Sequence, residues 1–231
     1  MLPATGRVVM ISGTSRGIGR AIATRLQTAG YSLSLGNRRA SPEFADALHC
    51  RFDAEVPETA ASWVEATLAR YGRIDALVNN AGMLKPSTLA SGSEADLDLH
   101  WAVNVKAPLR LIRLAMPHLE AVGHGRIVTI ASTDGKRVRQ GSALAYAMTK
   151  HAVVALTHAA RLEGWAKGVR ATALCPGAVD TALIADLPGV TPKAERMQPE
   201  TVAEAVAFLL SLPNTASVAE LVMNTRLEPS I

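Results

Sequence analysis

The chain has little cysteine, few aromatic residues, no excess of acid and no long apolar run. Its 231 residues include two cysteines, Cys50 and Cys175, too few for a disulfide framework and without a CxxC partner that would hold zinc. The histidines His49, His100, His118, His124, His151 and His158 fall at no metal-ligand spacing, so no metal is expected. Aromatic residues make up 4%, too few for a series of base-stacking platforms, and the 24 basic residues are mostly arginines placed singly. The net charge of +4 therefore reads as solvated surface with local sites for a phosphorylated small molecule, and no nucleic-acid partner is expected. No apolar run reaches the roughly 18 to 20 residues of a membrane-spanning helix, and Met1 to Gly6 carry no charged-then-apolar leader pattern. A reducing, cytoplasmic setting away from membranes is the expectation.

Apolar residues at 48% against 19% charged are enough to bury a core and too many for disorder. With roughly 150 residues per domain as a guide, and no repeat, low-complexity tract or linker, residues 1–231 read as one domain. Short apolar runs alternate with stretches of helical period, the pattern of repeated βα units on a parallel sheet. Strands are expected at Val8 to Ile11, Leu33 to Leu35, Leu48 to Phe52, Ile74 to Asn79, Ile127 to Ala131, Val169 to Cys175 and Leu221 to Met223. Helices are expected after the first strand, with Ile18, Ile22, Leu26 and Ala29 inward, then at Pro57 to Tyr71, from Ser93 to about Val122, at Ala145 to Ala166 and at Pro199 to Leu212. Ser93 and Asp96 have capping-box spacing, and an interruption is expected near Pro108. Four prolines and glycines between Ala178 and Pro199 predict a loop with at most short helices.

Gly13-Thr14-Ser15-Arg16-Gly17-Ile18-Gly19 is a GxxxGxG turn between a strand and an amphipathic helix. Glycines there let a pyrophosphate approach the backbone, and free amides with the helix dipole stabilise its charge. The second strand ends in Gly36-Asn37-Arg38-Arg39, without the carboxylate that reads the ribose of NAD. Arg38, with Arg16 from the turn, instead suits the extra phosphate of NADP, so NADPH/NADP is the expected cofactor. Asp53 is placed either to accept from the adenine amino group or to cap the helix near Pro57. Tyr146 and Lys150 stand four apart, on one face of a helix, where an ammonium favours the ionised phenol and fits it for acid–base work.

Taken together with Asn79-Asn80-Ala81-Gly82, Asn104, Ser132 after a strand, and Cys175-Pro176-Gly177, the chain resembles the short-chain dehydrogenase/reductase superfamily from about Arg7 to Thr181, and within it NADP-preferring 3-oxoacyl-acyl-carrier-protein reductase-like carbonyl reductases. The resemblance implies a single-domain, Rossmann-like α/β fold, a doubly wound parallel sheet of about seven strands flanked by helices, with a short substrate lid at about 178–198. It implies that Tyr146 donates a proton to the reduced carbonyl, that Lys150 binds the nicotinamide ribose and lowers the tyrosine pKa, and that Ser132 polarises the carbonyl. Asn104 would help hold the water that reprotonates Lys150. Cofactor contacts would come from Gly13, Ser15, Arg16, Gly17, Ile18, Gly19, Arg38, Asp53, Asn80, Ala81, Gly82, Tyr146, Lys150, Pro176, Gly177, Val179 and Thr181.

Counting back from Tyr146 reaches Thr133 as an alternative to Ser132; the strand register favours Ser132. Cys175 reads as a small buried strand residue. Leu183, Ile184, Leu187, Met83 and Lys85 are candidates for the substrate pocket. Lys136, Arg137 and Arg139 would either attract an anionic substrate or form a solvated basic loop. The expected partner is a small-molecule carbonyl or alcohol, and a homodimer or homotetramer is expected from the apolar helices. The expected activity is hydride transfer between NADPH and a carbonyl or secondary alcohol; an NAD-linked alcohol dehydrogenase and a silent cofactor-sensing protein are the alternatives.

Overall fold

The computed structural model describes residues 1–39, 43–138, 143–187 and 189–227. The elements run β1 (Val8–Ser12), α1 (Gly17–Thr28), β2 (Ser32–Asn37), β3 (Leu48–Arg51), α2 (Glu58–Tyr71), β4 (Ala76–Asn79) and α3 (Glu94–Trp101). They continue with α4 (Ala107–Ala121), β5 (Arg126–Ile130), α5 (Leu144–Gly164), β6 (Arg170–Pro176), α6 (Pro199–Ser211) and β7 (Glu220–Met223). The seven strands form one sheet in the order β3-β2-β1-β4-β5-β6-β7, every neighbouring pair parallel. The order reverses between β1 and β4, which opens the crevice where doubly wound sheets bind ligands.

Parallel strands buried on both faces need apolar residues at successive positions, and β1 shows why. Val9 and Ile11 pack with Ile22 and Leu26 of α1 and Val202, Val206 and Leu210 of α6, while Met10 between them packs with Trp63 of α2 and Leu111 of α4. Two cores therefore sandwich one sheet. The carbonyl end of α6 is held by two buried arginines: Arg7 donates to Leu210 O at 2.8 Å and Arg126 to Leu212 O at 2.6 Å.

The expected elements are present with bounds moved by a few residues. The expected long helix after Ser93 differs in kind. Ser93 caps α3, its hydroxyl accepting from Asp96 N at 3.1 Å. The break is a π turn, Ala102–Lys106, that precedes Pro108, and Pro108 sits in the first turn of α4, where no amide hydrogen is needed. Among its described residues, segment 178–198 holds only one helical turn, the 3-10 turn Lys193–Glu195, and its ends are joined: Asp180 N donates to Met197 O and Met197 N to Ala178 O, both near 2.8–2.9 Å. Among the described residues no helix is long and apolar enough to cross a membrane.

Candidate active site

Residues just beyond the carboxyl ends of all seven strands line one cleft of about 1650 Å³. Its base is the turn from β1 to α1. Gly13 has φ +73°, and a Cβ on it would come within 3.0 Å of Ala81 Cα; a Cβ on Gly19 would run into the Gly13 carbonyl and the Asn80 amide. Only glycine fits either place. Asn80 holds the turn from beneath, its Nδ2 donating to Ser12 O and Gly13 O at 2.9 and 2.8 Å, while Ser12 Oγ accepts from Asn80 N and Ala81 N, both at 3.0 Å. A Cβ on Gly17 would lie 3.2 Å from Thr181, so segment 178–181 covers the turn from above.

Asn37 is a structural part of this site that sequence reasoning noted only for lacking a charge. Its buried amide is turned inward, Oδ1 accepting from Thr14 N at 2.6 Å and Nδ2 donating to Thr14 Oγ1 at 2.7 Å. Arg16, Arg38 and Arg39 remain exposed on the cleft and, among the described residues, pair with no carboxylate. Nearby Arg20 and Arg25 do pair, with Glu43 and Glu204, each at 2.7 Å. Asp53 lines the cleft and does not cap α2, whose N-cap is Pro57; its Oδ1 accepts from Glu55 N at 3.2 Å.

At the other end, Tyr146 and Lys150 in the first turns of α5 face Ser132, the second residue after β5. The Ser132 hydroxyl faces the Tyr146 phenol closely enough to lower its pKa, and it accepts from Asp134 N at 3.1 Å. The hydroxyl that acts on the phenol is that of Ser132; Thr133 starts the 3-10 turn Thr133–Gly135. Lys150 Nζ donates to Ile130 O at 2.7 Å and sits 5.4 Å from the centre of the Tyr146 ring. Burial pulls the ammonium down to about 8. Burial also pushes the Tyr146 phenol well above its ordinary value, with the Asp134 carboxylate adding to the rise and the Ser132 hydroxyl opposing it. The lowering by Lys150 expected from the spacing is therefore not what governs this phenol. The lysine points along the backbone at Ile130 instead of at the phenol oxygen.

Every expected cofactor or catalytic residue lines the cleft except Asn104. Asn104 lies in the π turn and is buried; its Oδ1 accepts from Met83 N at 2.9 Å, and Nδ2 donates to Met83 O and Thr149 Oγ1, both at 3.0 Å. Its side chain ties the loop after β4 to α5. Leu183, Ile184, Leu187 and Met83 line the cleft as expected. Lys85 is not on its wall and pairs with Asp96 at 2.8 Å. Lys136 is also off the wall, bonded to Glu220 at 2.6 Å, so a substrate-attracting role for it is corrected. Arg137 does reach the cleft, paired with Asp134 at 3.3 Å; Arg139 lies outside the described residues. Cys175 is fully buried, and burial first pushes its thiol up to about 11, an inert sulfur in the sheet. Among the described residues no three metal-ligating side chains gather.

The glycine turn, the strand-end cleft and the Ser–Tyr–Lys group define a class of nucleotide-cofactor oxidoreductase. Consistent with that, the model of the short chain dehydrogenase family matches residues 7–189. The chain belongs to the short-chain dehydrogenase family of oxidoreductases and has its Rossmann-like, NAD(P)-binding fold. Agropine synthesis reductase of Rhizobium rhizogenes is 41% identical over 223 residues, covering 91% of this chain and 50% of that protein. The chain thus spans about half the length of that relative. Oxidoreductase UcpA of Escherichia coli (strain K12) is 31% identical, with 90% of this chain and 88% of that protein covered. Among solved structures, ligand-free aldohexose dehydrogenase of Thermoplasma acidophilum superposes with a TM-score of 0.87 at 28% identity, covering 99% of this chain and 98% of that one. The 3-ketoacyl-(acyl-carrier-protein) reductase of Brucella melitensis, complexed with NADH, gives 0.87 at 27%, covering 96% and 98%.

Proposed function

We propose that this protein reduces a ketone or aldehyde with NADPH, and runs in reverse as an alcohol dehydrogenase. The observation that carries the reading is that one cleft holds both a glycine cradle too tight for any Cβ and a buried phenol with a serine hydroxyl and a lysine beside it. The cradle fits a dinucleotide, since its open backbone meets a helix amino end where a pyrophosphate is stabilised. A reduced nicotinamide bound there supplies the hydride.

The chain's own residues do the rest. Asp134 N occupies one lone pair of Ser132 Oγ, which leaves the hydroxyl proton to donate to the carbonyl oxygen and polarise it. Tyr146, protonated well past neutrality, is in the right form to donate a proton to that oxygen as it becomes an alkoxide. Lys150 offers an ammonium for the ribose hydroxyls and, once a cofactor anion is near, for the ionised phenol. Asn104 fixes Met83 and Thr149, and so the spacing between the loop after β4 and α5.

The preference for NADPH rests on Arg16, Arg38 and Arg39, unpaired among the described residues, beside an Asn37 whose amide is turned away from the ribose site. Segment 178–198 serves as the lid, and its Leu183, Ile184 and Leu187 favour an aliphatic substrate. A cytoplasmic location fits the free thiols, and pairing of subunits through α5 fits its exposed Met148 and Leu162 and the half-exposed Trp165 just beyond it. The test is turnover of a panel of carbonyl compounds with each cofactor. The reading predicts oxidation of NADPH with a kcat/KM about tenfold or more above that with NADH. A preference for NADH would overturn the cofactor assignment, and no turnover of any carbonyl would overturn the activity.

A further inference from the structure

We infer that Lys136 positions the Ser132 hydroxyl from outside the cleft, through the Glu220 carboxylate of β7 that it shares with His158 of α5. The inference rests on Ser132 as the carbonyl-polarising group proposed above.

Ser132 lies outside regular strand and leads into a single 3-10 turn, too short to hold itself in place. The turn wraps around the serine: Asp134 N donates to Ser132 Oγ at 3.1 Å and Gly135 N to Ser132 O at 2.9 Å. Its inner side abuts α5 so closely that a Cβ on Gly135 would stand 2.7 Å from Lys150 O. Its outer end is Lys136, whose N–H closes the turn on Thr133 O at 3.0 Å. Beyond Lys136 the chain moves to the cleft wall with Arg137 and Val138.

Lys136 is therefore the outer anchor. Its Nζ meets Glu220 Oε2 at 2.6 Å, and His158 Nε2 donates to Glu220 Oε1 at 2.7 Å, so one carboxylate joins the serine turn, the catalytic helix and the edge strand. Between a quarter and a third of each side chain is exposed, so a single such pair would add little to stability. Two donors from different elements sharing one carboxylate instead fix direction, and a serine displaced by a fraction of an ångström loses polarising power without loss of fold. Lys136, for which the sequence left substrate attraction and a solvated loop as alternatives, thus acts on the chemistry from behind.

The test combines Lys136→Met, Glu220→Gln and Lys136→Arg, read by amide hydrogen exchange and by kinetics in the full chain. Protection of the Asp134 and Gly135 amides should fall about tenfold in Lys136→Met and in Glu220→Gln, and return in Lys136→Arg. In turnover, kcat for carbonyl reduction should fall about tenfold while the Kd for NADPH stays within about twofold, and Lys136→Arg should restore most of kcat. Unchanged amide protection in both disrupting variants overturns the inference, as does a kcat loss matched by weakened NADPH binding, which marks general loosening. If the parent turns over no carbonyl, the proposed activity falls, and amide protection alone then decides the positioning role.

Discussion

At the scale of single residues, the site holds charges and contacts the fold would be more stable without. Lys150 is the clearest case. Its folded pKa of about 8 lies below the ordinary 10.5, so folding disfavours its charge. The cost is full below about 8 and disappears as pH rises toward the ordinary value. Near neutrality it amounts to about 3 kcal/mol, at the upper end of the roughly 1.5–3 kcal/mol that a bond from a charged donor such as that to Ile130 O contributes. Lys150→Met should therefore denature at the same temperature as the parent or higher at neutral pH, should lose the gain in stability between neutral and alkaline pH, and should reduce carbonyls at least about 10²-fold more slowly. A lower melting temperature at neutral pH would show that the bond outweighs the buried charge. Gly19→Ala should act oppositely, costing about 1–3 kcal/mol of stability and most cofactor affinity, because its Cβ meets backbone that has nowhere to go. Truncating Arg38 to Ala should weaken NADPH about tenfold and NADH by no more than about twofold, measured by fluorescence titration.

At the scale of elements, the pieces written in local sequence were legible and those held by distant partners were not. The strand, glycine turn and helix from Val8 to Thr28 carry all their signals within a short stretch, as do the Tyr146–Lys150 spacing and the Ser93 cap. Pro108 suggested a break, but the proline rule gave its neighbourhood and not its form: a π turn is set by Asn104 reaching Met83 and Thr149, contacts no spacing reports. Asn37 on Thr14 and Lys136 on Glu220 were invisible for the same reason, and charge alone left Lys136 open between substrate attraction and a solvated loop. Segment 178–198 read as a loop from its prolines, yet its joined ends depend on Arg196. That guanidinium, 8% exposed, faces Asp180 at 3.6 Å and donates to Thr191 O at 2.9 Å. Arg196→Met should make the lid about tenfold more susceptible to limited proteolysis and raise the substrate KM more than it lowers kcat. Unchanged cleavage would mean that the backbone bonds alone hold the lid base.

At the scale of the whole molecule, the mild positive charge divides into distinct uses. Arg7 and Arg126 are 3% exposed and close the carbonyl end of α6 at the amino ends of the strands, while Arg16, Arg38 and Arg39 stand at the opposite, carboxyl end around the cleft. The two cores bury nearly all of the sheet, so little is left to build a separate substrate domain among the described residues. In the proposed reaction, specificity would fall to segment 178–198 and to the loops after β4 and β5. The central claim, that this cleft reduces a carbonyl with a proton from Tyr146, is tested most directly by Tyr146→Phe with NADPH binding and carbonyl reduction measured side by side. The account predicts an NADPH Kd within about threefold of the parent's and a fall in kcat of at least about 10²-fold. A variant that reduces the same carbonyl at a rate near the parent's would contradict it.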